Sequence, residues 1–584
     1  MKCDICEIGC NIASGETGKC GMYTCGNGSI HERFPDSYLA VIPISIETMP
    51  MTHYRPRSKF LQVGGIGCNF SCKGCVSGLF TRNAGQFAPA LKTYPVEEIV
   101  KKAIEQGCEG IVCCMNDPVV SHHTFMRLAA AAKSAGLAVG CSTNGYHTSS
   151  ALAEVAAAVD FVNCGLKGGS DGAYRQCGAP TAEPVFRNLR VLHDSGVHVE
   201  VSVIYSKENE AEVLEAARRV ASISPEIPFQ VMRFVPFGDA PMELEPTVRA
   251  SEALCRELRK TLSFVYLFNS PGTPYLNIEC PQCGTTLFHR EFYGPMGCRT
   301  VACAPEGSCF CGYRLPITGA INSASYNEYG MMGGYRFTRG LEIIRAICGC
   351  LGIDTGPEIS HVWQSVIQNN DVEALHDKIN RIDSYLDLIT ELGVRFGREF
   401  RAKAVTEHMR ERVMFIEEKT KFLERPTVYY AMCTPGFALN GERFEIQLAE
   451  TAGGRCVNGQ LVRSGKPGVN ISKEELLYLN PEHIFISGLF SAPEQDFYET
   501  CHKEGLWIDA VTSRRIHSIP AGWDFGNPRW ILGLMHMANI LHPECFDFDL
   551  ISEAELLYRK FWGSTQDSFV TNRSFYQPLK AWAS

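Results

Sequence analysis

The segment Gly67-Cys68-Asn69-Phe70-Ser71-Cys72-Lys73-Gly74-Cys75 places three thiols in the spacing C-x3-C-x2-C. Three thiolates on so short a loop can wrap one four-iron cluster and leave its fourth iron without a protein ligand. An open metal corner is where a small molecule binds and reacts, as at any catalytic metal site. Chance gives this spacing roughly 0.06 times in a chain this rich in cysteine. Its position in the fold therefore decides the reading, against the plainer one of a zinc knuckle or scattered core thiols.

Two further groups could each supply four ligands. One is Cys3, Cys6, Cys10 and Cys20; the other is Cys280, Cys283, Cys309 and Cys311, with Cys298 and Cys303 nearby. Four thiolates suit zinc or a second [4Fe-4S] cluster, and spacing does not separate them. Cys280-x2-Cys283-Gly284 looks like a zinc-ribbon knuckle, and its partner Cys309-x-Cys311-Gly312 is tighter. Either group could be an auxiliary iron–sulfur centre that binds substrate or relays electrons. Singletons such as Cys255 and Cys501 read as small buried hydrophobes.

The elements that would position the first loop are legible. Residues 60 to 268 alternate apolar strands with amphipathic helices. The expected strands are Phe60–Gly64, Gly110–Cys114, Ala138–Ser142, Phe161–Leu166, His198–Ile204 and Phe229–Phe234. Val96, Ile99, Val100, Ala103 and Ile104 have the spacing of one helix face, closed by Gly107. Further helices are expected at about 128–135, 151–158, 182–193, 208–221 and 248–262. Six strand–helix units in a row imply an α/β fold, a partial (β/α)6 barrel with right-handed crossovers. Chemistry belongs at the carboxyl ends of its strands, and Cys68 directly follows the first strand.

The chain has 584 residues, too many for one core. A net charge of −9 argues against nucleic acid or an anionic membrane as partner. Cysteines, not an apolar run, follow Met1-Lys2, so neither a signal peptide nor a membrane helix is expected there. With 27 cysteines, the expectation is a cytoplasmic, metal-binding and oxygen-sensitive protein, because the cytosol keeps thiols reduced.

From Met1 to about residue 300 the chain resembles the radical S-adenosylmethionine (SAM) superfamily. Within it, the likeness is to pyruvate formate-lyase-activating-enzyme-like proteins, the AmmeMemoRadiSam branch. The resemblance is carried by the N-terminal cysteine pattern, the Cys68–Cys75 loop, Asn116-Asp117-Pro118, Thr143-Asn144-Gly145-Tyr146, Lys167-Gly168 and Cys280-Pro281-Gln282-Cys283-Gly284. It implies an oxidoreductase-type mechanism in which SAM chelates the open iron, an electron cleaves its sulfonium–C5′ bond, and a 5′-deoxyadenosyl radical takes hydrogen from a substrate. By resemblance, Asn116 and Asp117 hold the methionyl ammonium, a pairing that suits a carboxylate. Asn144 and Lys167 would contact ribose or carboxylate; read plainly, they are a turn and a solvated charge.

Two positions depart from the family pattern. Gly74 stands where an aromatic is common, so adenine packing must come from elsewhere, with Phe70 a candidate. Gly165 stands where an acid often precedes the lysine, which puts a glycyl-radical-activating role in doubt.

The remainder reads differently. Residues 372 to 423 are strongly helical, with Ile379, Ile382, Leu386 and Ile389 on one face. Strands are expected at Thr427–Ala431, Glu474–Leu479, His483–Ile486 and Arg515–Ile519, then a helix at 530–541. This part resembles the periplasmic siderophore- and cobalamin-binding proteins, carried by Pro426-Thr427-Val428-Tyr429-Tyr430, Ala452-Gly453-Gly454, Ser472-Lys473-Glu474-Glu475-Leu476-Leu477, Asn480-Pro481-Glu482-His483-Ile484 and Arg514-Arg515-Ile516-His517. Residues 319 to 371 are too few for a complete first lobe. Tyr430, Cys433, Arg455 and Cys456 are candidate contacts there, with ordinary loop chemistry the plainer reading. Such a lobe binds rigid chelates or mediates dimerisation.

The expected organisation is a Cys-rich segment at 1–59, the barrel at 60–268, a Cys-rich metal-binding segment at 269–318 and a C-terminal α/β lobe with a long helix at 319–584. The leading expectation is a radical SAM enzyme acting on a metallocofactor or tetrapyrrole-like substrate, reduced by ferredoxin or flavodoxin. Rivals are a radical-installing activase of a partner protein and a non-catalytic iron–sulfur scaffold or metallochaperone.

Overall fold

A computed structural model describes residues 1–236, 241–328, 334–353, 356–368, 371–462, 467–490 and 492–561. The chain divides into two compact units, Met1–Thr338 and Arg339–Ser584.

In the first unit an eight-stranded sheet runs in sequence order: Ala40–Ser45, Lys59–Gly64, Gly110–Cys113, Ala138–Thr143, Phe161–Leu166, His198–Tyr205, Phe229–Arg233 and Val265–Phe268. Neighbours from Lys59–Gly64 onward pair in parallel, each strand beside its predecessor. The strands are buried nearly throughout, as helices on one face and the barrel interior on the other require. The six expected strands are present. Two more flank them. Ala40–Ser45 pairs antiparallel with Lys59–Gly64. Its Pro43 lacks an N–H and sits at the sheet edge, where that loss is tolerated. Val265–Phe268 closes the other edge, in a run too short to stand out by periodicity.

The helix Val96–Glu105 buries Ile99, Val100 and Ala103, but Ile104 points to solvent. At 100° per residue, Ile104 lies about 80° from Val96, at the margin of the stripe. Helices His122–Ser134, Ser149–Ala158, Glu183–Asp194, Glu210–Ala221 and Val248–Leu258 complete the outer layer. Beneath the strands, buried Glu200 accepts hydrogen bonds from Thr52 N, Thr52 Oγ1, His53 N and Gln230 Nε2. Burial acts to raise its pKa, but those bonds and His198 hold it at about 2.

A three-stranded antiparallel sheet of Ile278–Glu279, Thr286–Phe292 and Cys298–Cys303 follows the barrel. The helix Arg336–Cys350 runs across the division between the units, and in the second unit helices Gly356–Gln368, Asp371–Ile379, Ile382–Arg395 and Glu399–Thr420 precede a mixed six-stranded sheet. The helical stretch is thus broken: Ile379 ends one helix, while Ile382, Leu386 and Ile389 are buried on the next.

The sheet has Thr427–Met432 at its centre, parallel to His483–Ile486 and antiparallel to Thr434–Leu439. Residues Glu474–Leu479, expected as a strand, lie in the helix Lys473–Leu479. A reciprocal cap between Ser472 and Glu475 starts that helix, a local signal that outweighs the short apolar run. Among the described residues, no helix is long and apolar enough to cross a membrane.

Candidate active site

The loop Cys68–Cys75 leaves the carboxyl end of the strand Lys59–Gly64, and every other expected contact sits on a neighbouring carboxyl end. Asn116 and Asp117 follow Gly110–Cys113, Asn144 follows Ala138–Thr143, and Lys167 follows Phe161–Leu166. Parallel strands in sequential order bring these four loops to one rim.

The three thiols lie close enough that charge on Cys72 raises Cys68 and Cys75, and charge on Cys75 raises Cys68. Burial raises Cys68 and Cys75 first of all, and a hydrogen bond with Cys177 raises Cys72. Such a pocket disfavours bare thiolates, so their charge calls for cationic partners. Lys167 is one. Burial acts to lower its pKa, but the thiols of Cys72, Cys177, Cys68 and Cys75 together raise it, so it stays charged. The Phe70 N–H donates to the Cys68 sulfur at 3.4 Å and Asn144 Nδ2 approaches it at 3.8 Å. Hydrogen bonds to sulfur are what a bound metal–thiolate site uses to stabilise charge. The residues fit a cluster held by three cysteines.

Behind the thiols, Asp117 acts as a brace. Its Oδ1 accepts from Val119 N at 3.1 Å and Thr143 Oγ1 at 3.0 Å, and its Oδ2 accepts from Asn144 N at 2.7 Å. Oδ2 therefore has room for one further donor. Asn116 ties Gly65 N (2.8 Å) to Ile66 O (3.1 Å), fixing the approach to the cysteine loop. Asn144 Nδ2 donates to Asn69 Oδ1 at 2.6 Å, and Asn144 Oδ1 accepts from Tyr146 N at 3.0 Å. Phe70 turns into the core, edge-on to Tyr146 and Tyr174 at 5.2 and 6.1 Å between centroids. It anchors the loop from below. A Cβ on Gly165 would lie 3.5 Å from Lys167 Nζ, so the ammonium lies over that glycine.

Two residues at the rim carried no sequence signal. Cys177 hydrogen-bonds Cys72 and its carbonyl accepts from Ser71 N at 2.9 Å. Tyr335 bonds Ser142 and lies near enough to Cys75 and Asp117 to feel their charge. Both are distant in sequence and outside any motif, so only the fold reveals them.

The other cysteine groups are separate. Cys280, Cys283, Cys309 and Cys311 bring their sulfurs within 4.8 Å of one another. Cys280 and Cys311 are 3.5 Å apart, Cys283 and Cys309 3.4 Å. Gly284 and Gly312 follow at φ +75° and +93°, which lets the backbone turn sharply after each second cysteine. Thr285, through its hydroxyl and its N–H, lowers Cys283 to about 6 and so favours the thiolate a metal needs. Cys298 and Cys303 lie outside this group: Cys298 is buried against Glu47 O, and Cys303 meets Arg57. Cys3, Cys6, Cys10 and Cys20 line a cavity of their own beside the radical-type loop.

In the second unit, Tyr430 is buried with its hydroxyl donating to Asp524 Oδ2 at 3.3 Å. Asp524 also accepts from Ser487 Oγ and Gly488 N at 2.8 Å each, and burial raises it to about 6. Cys433 sits at φ +64° in the turn between two strands, Cys456 is buried and Arg455 exposed.

Comparison with known proteins matches residues 63–220 to the Radical SAM superfamily. Residues 63–220 form a radical SAM domain. An uncharacterised protein of Methanocaldococcus jannaschii is 29% identical over 308 residues, covering 50% of this chain and 88% of that protein. Solved structures similar to part of the chain include a periplasmic solute-binding protein of Veillonella parvula, at 19% identity and a TM-score of 0.30, covering 34% of this chain and 62% of that one. Another is Helicobacter pylori CeuE with Ni(II) bound, at 19% identity and a TM-score of 0.30, covering 35% and 63%. The chain thus spans less than two thirds of the solute-binding proteins it matches. The radical SAM domain supports an iron–sulfur cluster and SAM as cofactors.

Proposed function

We propose that this chain is a radical SAM enzyme whose cluster is held by Cys68, Cys72 and Cys75. When bound, such a cluster supplies the electron that splits SAM into methionine and a 5′-deoxyadenosyl radical. The observation that carries the reading is the convergence of three mutually close thiols, one buried carboxylate and one ammonium on a single barrel rim. Cys68, Cys72 and Cys75 supply three ligands. Lys167 offsets their negative charge and, at the thiol face, is placed to meet the carboxylate of SAM. Asp117 Oδ2, with room for one donor beyond Asn144 N, is the acceptor for its ammonium. Asn144, held by Asp117 and Asn69, keeps the loop at its working distance. Tyr335 and Cys177 lie where a substrate would approach.

The substrate class we propose is a metallocofactor or related chelate, presented by the C-terminal lobe. Support for that part is the resemblance in the sequence of residues 426–517 alone. The test is anaerobic reconstitution with iron, sulfide, dithionite and SAM, with 5′-deoxyadenosine measured by chromatography. Product should form and should vanish in Cys72→Ala. Undiminished product in that variant would end the assignment of the cluster ligands.

A further inference from the structure

We infer that Cys3, Cys6, Cys10 and Cys20 hold a second, fully ligated iron–sulfur cluster that passes electrons to the radical SAM loop. This rests in part on the function proposed above, because the recipient is the site at Cys68, Cys72 and Cys75.

Four observations converge. The first is the cavity. The four cysteines line one pocket whose remaining wall is mostly apolar, with Ile5, Ile8, Ile12, Tyr23, Val119 and Val120 beside Lys19 and Asn69. Four thiolates gathered in one pocket match the ligand set of a closed cluster.

The second is hydrogen bonding to sulfur. Each of the four sulfurs meets a backbone N–H: Ile5 to Cys3, Ile8 to Cys6, Lys19 to Cys10 at 3.4 Å and Met22 to Cys20 at 3.5 Å. Three of these are the N–H two residues beyond the cysteine. Amides aimed at sulfur stabilise thiolates that bind metal and tune the cluster's potential.

The third is the arrangement of the group. The Cys280 group draws its sulfurs to the spacing of one tetrahedral ion. The N-terminal cysteines share a pocket without being drawn to that spacing, and a four-iron cube spreads its cysteines wider than a single ion does. The two groups therefore suit different metals.

The fourth is adjacency. Asn69, directly after Cys68, is part of the cavity wall. Its side chain lies beside Cys6, and its Oδ1 lies 3.7 Å from the Cys68 sulfur while accepting from Asn144. A Cβ on Gly67 would meet Met22 Cγ at 2.6 Å and Cys20 O at 3.5 Å. One side chain thus separates the two sulfur sets. The N-terminal segment is held there by Glu7 N to Tyr146 O at 3.1 Å, Thr148 N to Ile5 O at 3.1 Å and Lys19 Nζ to Gly178 O at 2.5 Å. For each SAM cleaved, a one-electron donor of the ferredoxin or flavodoxin class is oxidised once. The N-terminal cluster is reduced and then reoxidised, and the electron ends at the radical SAM site.

The test uses the full chain, purified anaerobically, with iron, zinc and acid-labile sulfide counted and EPR recorded with and without SAM. Cys6→Ser/Cys20→Ser, and separately the milder Cys10→Ser, should remove about four iron atoms while keeping the SAM-dependent EPR change. Cys72→Ala should do the reverse, losing the SAM-responsive signal and keeping the N-terminal one. Unchanged iron in the N-terminal variants, or loss of about one zinc in its place, would overturn the cluster. Reduced flavodoxin should reduce the SAM-responsive signal at least tenfold more slowly in Cys10→Ser than in the unaltered chain. Equal rates would overturn the relay. Loss of the SAM response in the unaltered protein would fault the radical SAM assignment instead, and the N-terminal iron count would still decide the second cluster.

Discussion

Cys283→Ala tests the outer metal site, and its outcome can be worked from sulfur positions. Zinc–thiolate bonds of about 2.3 Å in a tetrahedron put neighbouring sulfurs about 3.8 Å apart. Two of the sulfur pairs stand at 3.5 and 3.4 Å and all four sulfurs lie within 4.8 Å. Seating one ion requires shifts of a few tenths of an ångström. A structural zinc contributes on the order of 12 kcal/mol to the segment it closes, so one ligand of four is worth about 3 kcal/mol. That is about a hundredfold in affinity.

The assay is elemental analysis after dialysis against a competing chelator, paired with amide hydrogen exchange over residues 278–316. The unaltered chain should keep about one zinc, and Cys283→Ala should lose it. Exchange should then rise where Cys280 N bonds Thr285 O and Cys309 N bonds Tyr313 O, both 2.8 Å. A variant that retains its zinc, or an unaltered chain whose loss is four irons, would refute the single-ion reasoning.

Two further outcomes follow from the first unit. Gly67→Ala should destabilise by about 1–3 kcal/mol in chemical denaturation, because φ is +79° and the new methyl would meet Met22 at 2.6 Å. The same variant should disturb the EPR signals of both neighbouring clusters. Glu200 predicts an acid-linked loss of stability: its pKa falls from 4.5 to about 2 on folding. Stability from this group is present above 4.5 and is lost as pH falls through about 2. Two and a half units correspond to about 3 kcal/mol. Glu200→Gln should abolish this part of the pH dependence between 4.5 and 2, and an unchanged slope would show that the buried carboxylate is not the titrating group.

What could be read from sequence followed from how local each signal is. The strand Gly110–Cys113 announced itself because a strand buried on both faces is a continuous apolar run. The loop Cys68–Cys75 was legible because its ligands are contiguous. Ala40–Ser45 was missed because Pro43 argues against a strand, and only its place at an edge permits one. Glu474–Leu479 was misread because six residues cannot show helical periodicity, although the Ser472 and Glu475 cap was present in the letters. Cys177 and Tyr335 could not be found at all: their proximity to Cys72 and Ser142 is made by chain crossings of about 100 and 190 residues.

The three cysteine groups differ in what their surroundings ask of a metal. Near Cys283, two exposed and two buried cysteines, with the Thr285 hydroxyl beside Cys283, present thiolates that one small ion can gather. Around Cys68 the thiols are buried beside an ammonium and an incompletely satisfied carboxylate, a combination that leaves room for a zwitterion such as SAM. The N-terminal cysteines have backbone amides and a mostly aliphatic wall, with Lys19 and Asn69 as the charged and polar side chains beside them. A site that holds charge behind a mostly aliphatic wall suits electron transfer. Asn69, shared by the two neighbouring sites, is then the residue through which a change at one sulfur set is felt at the other.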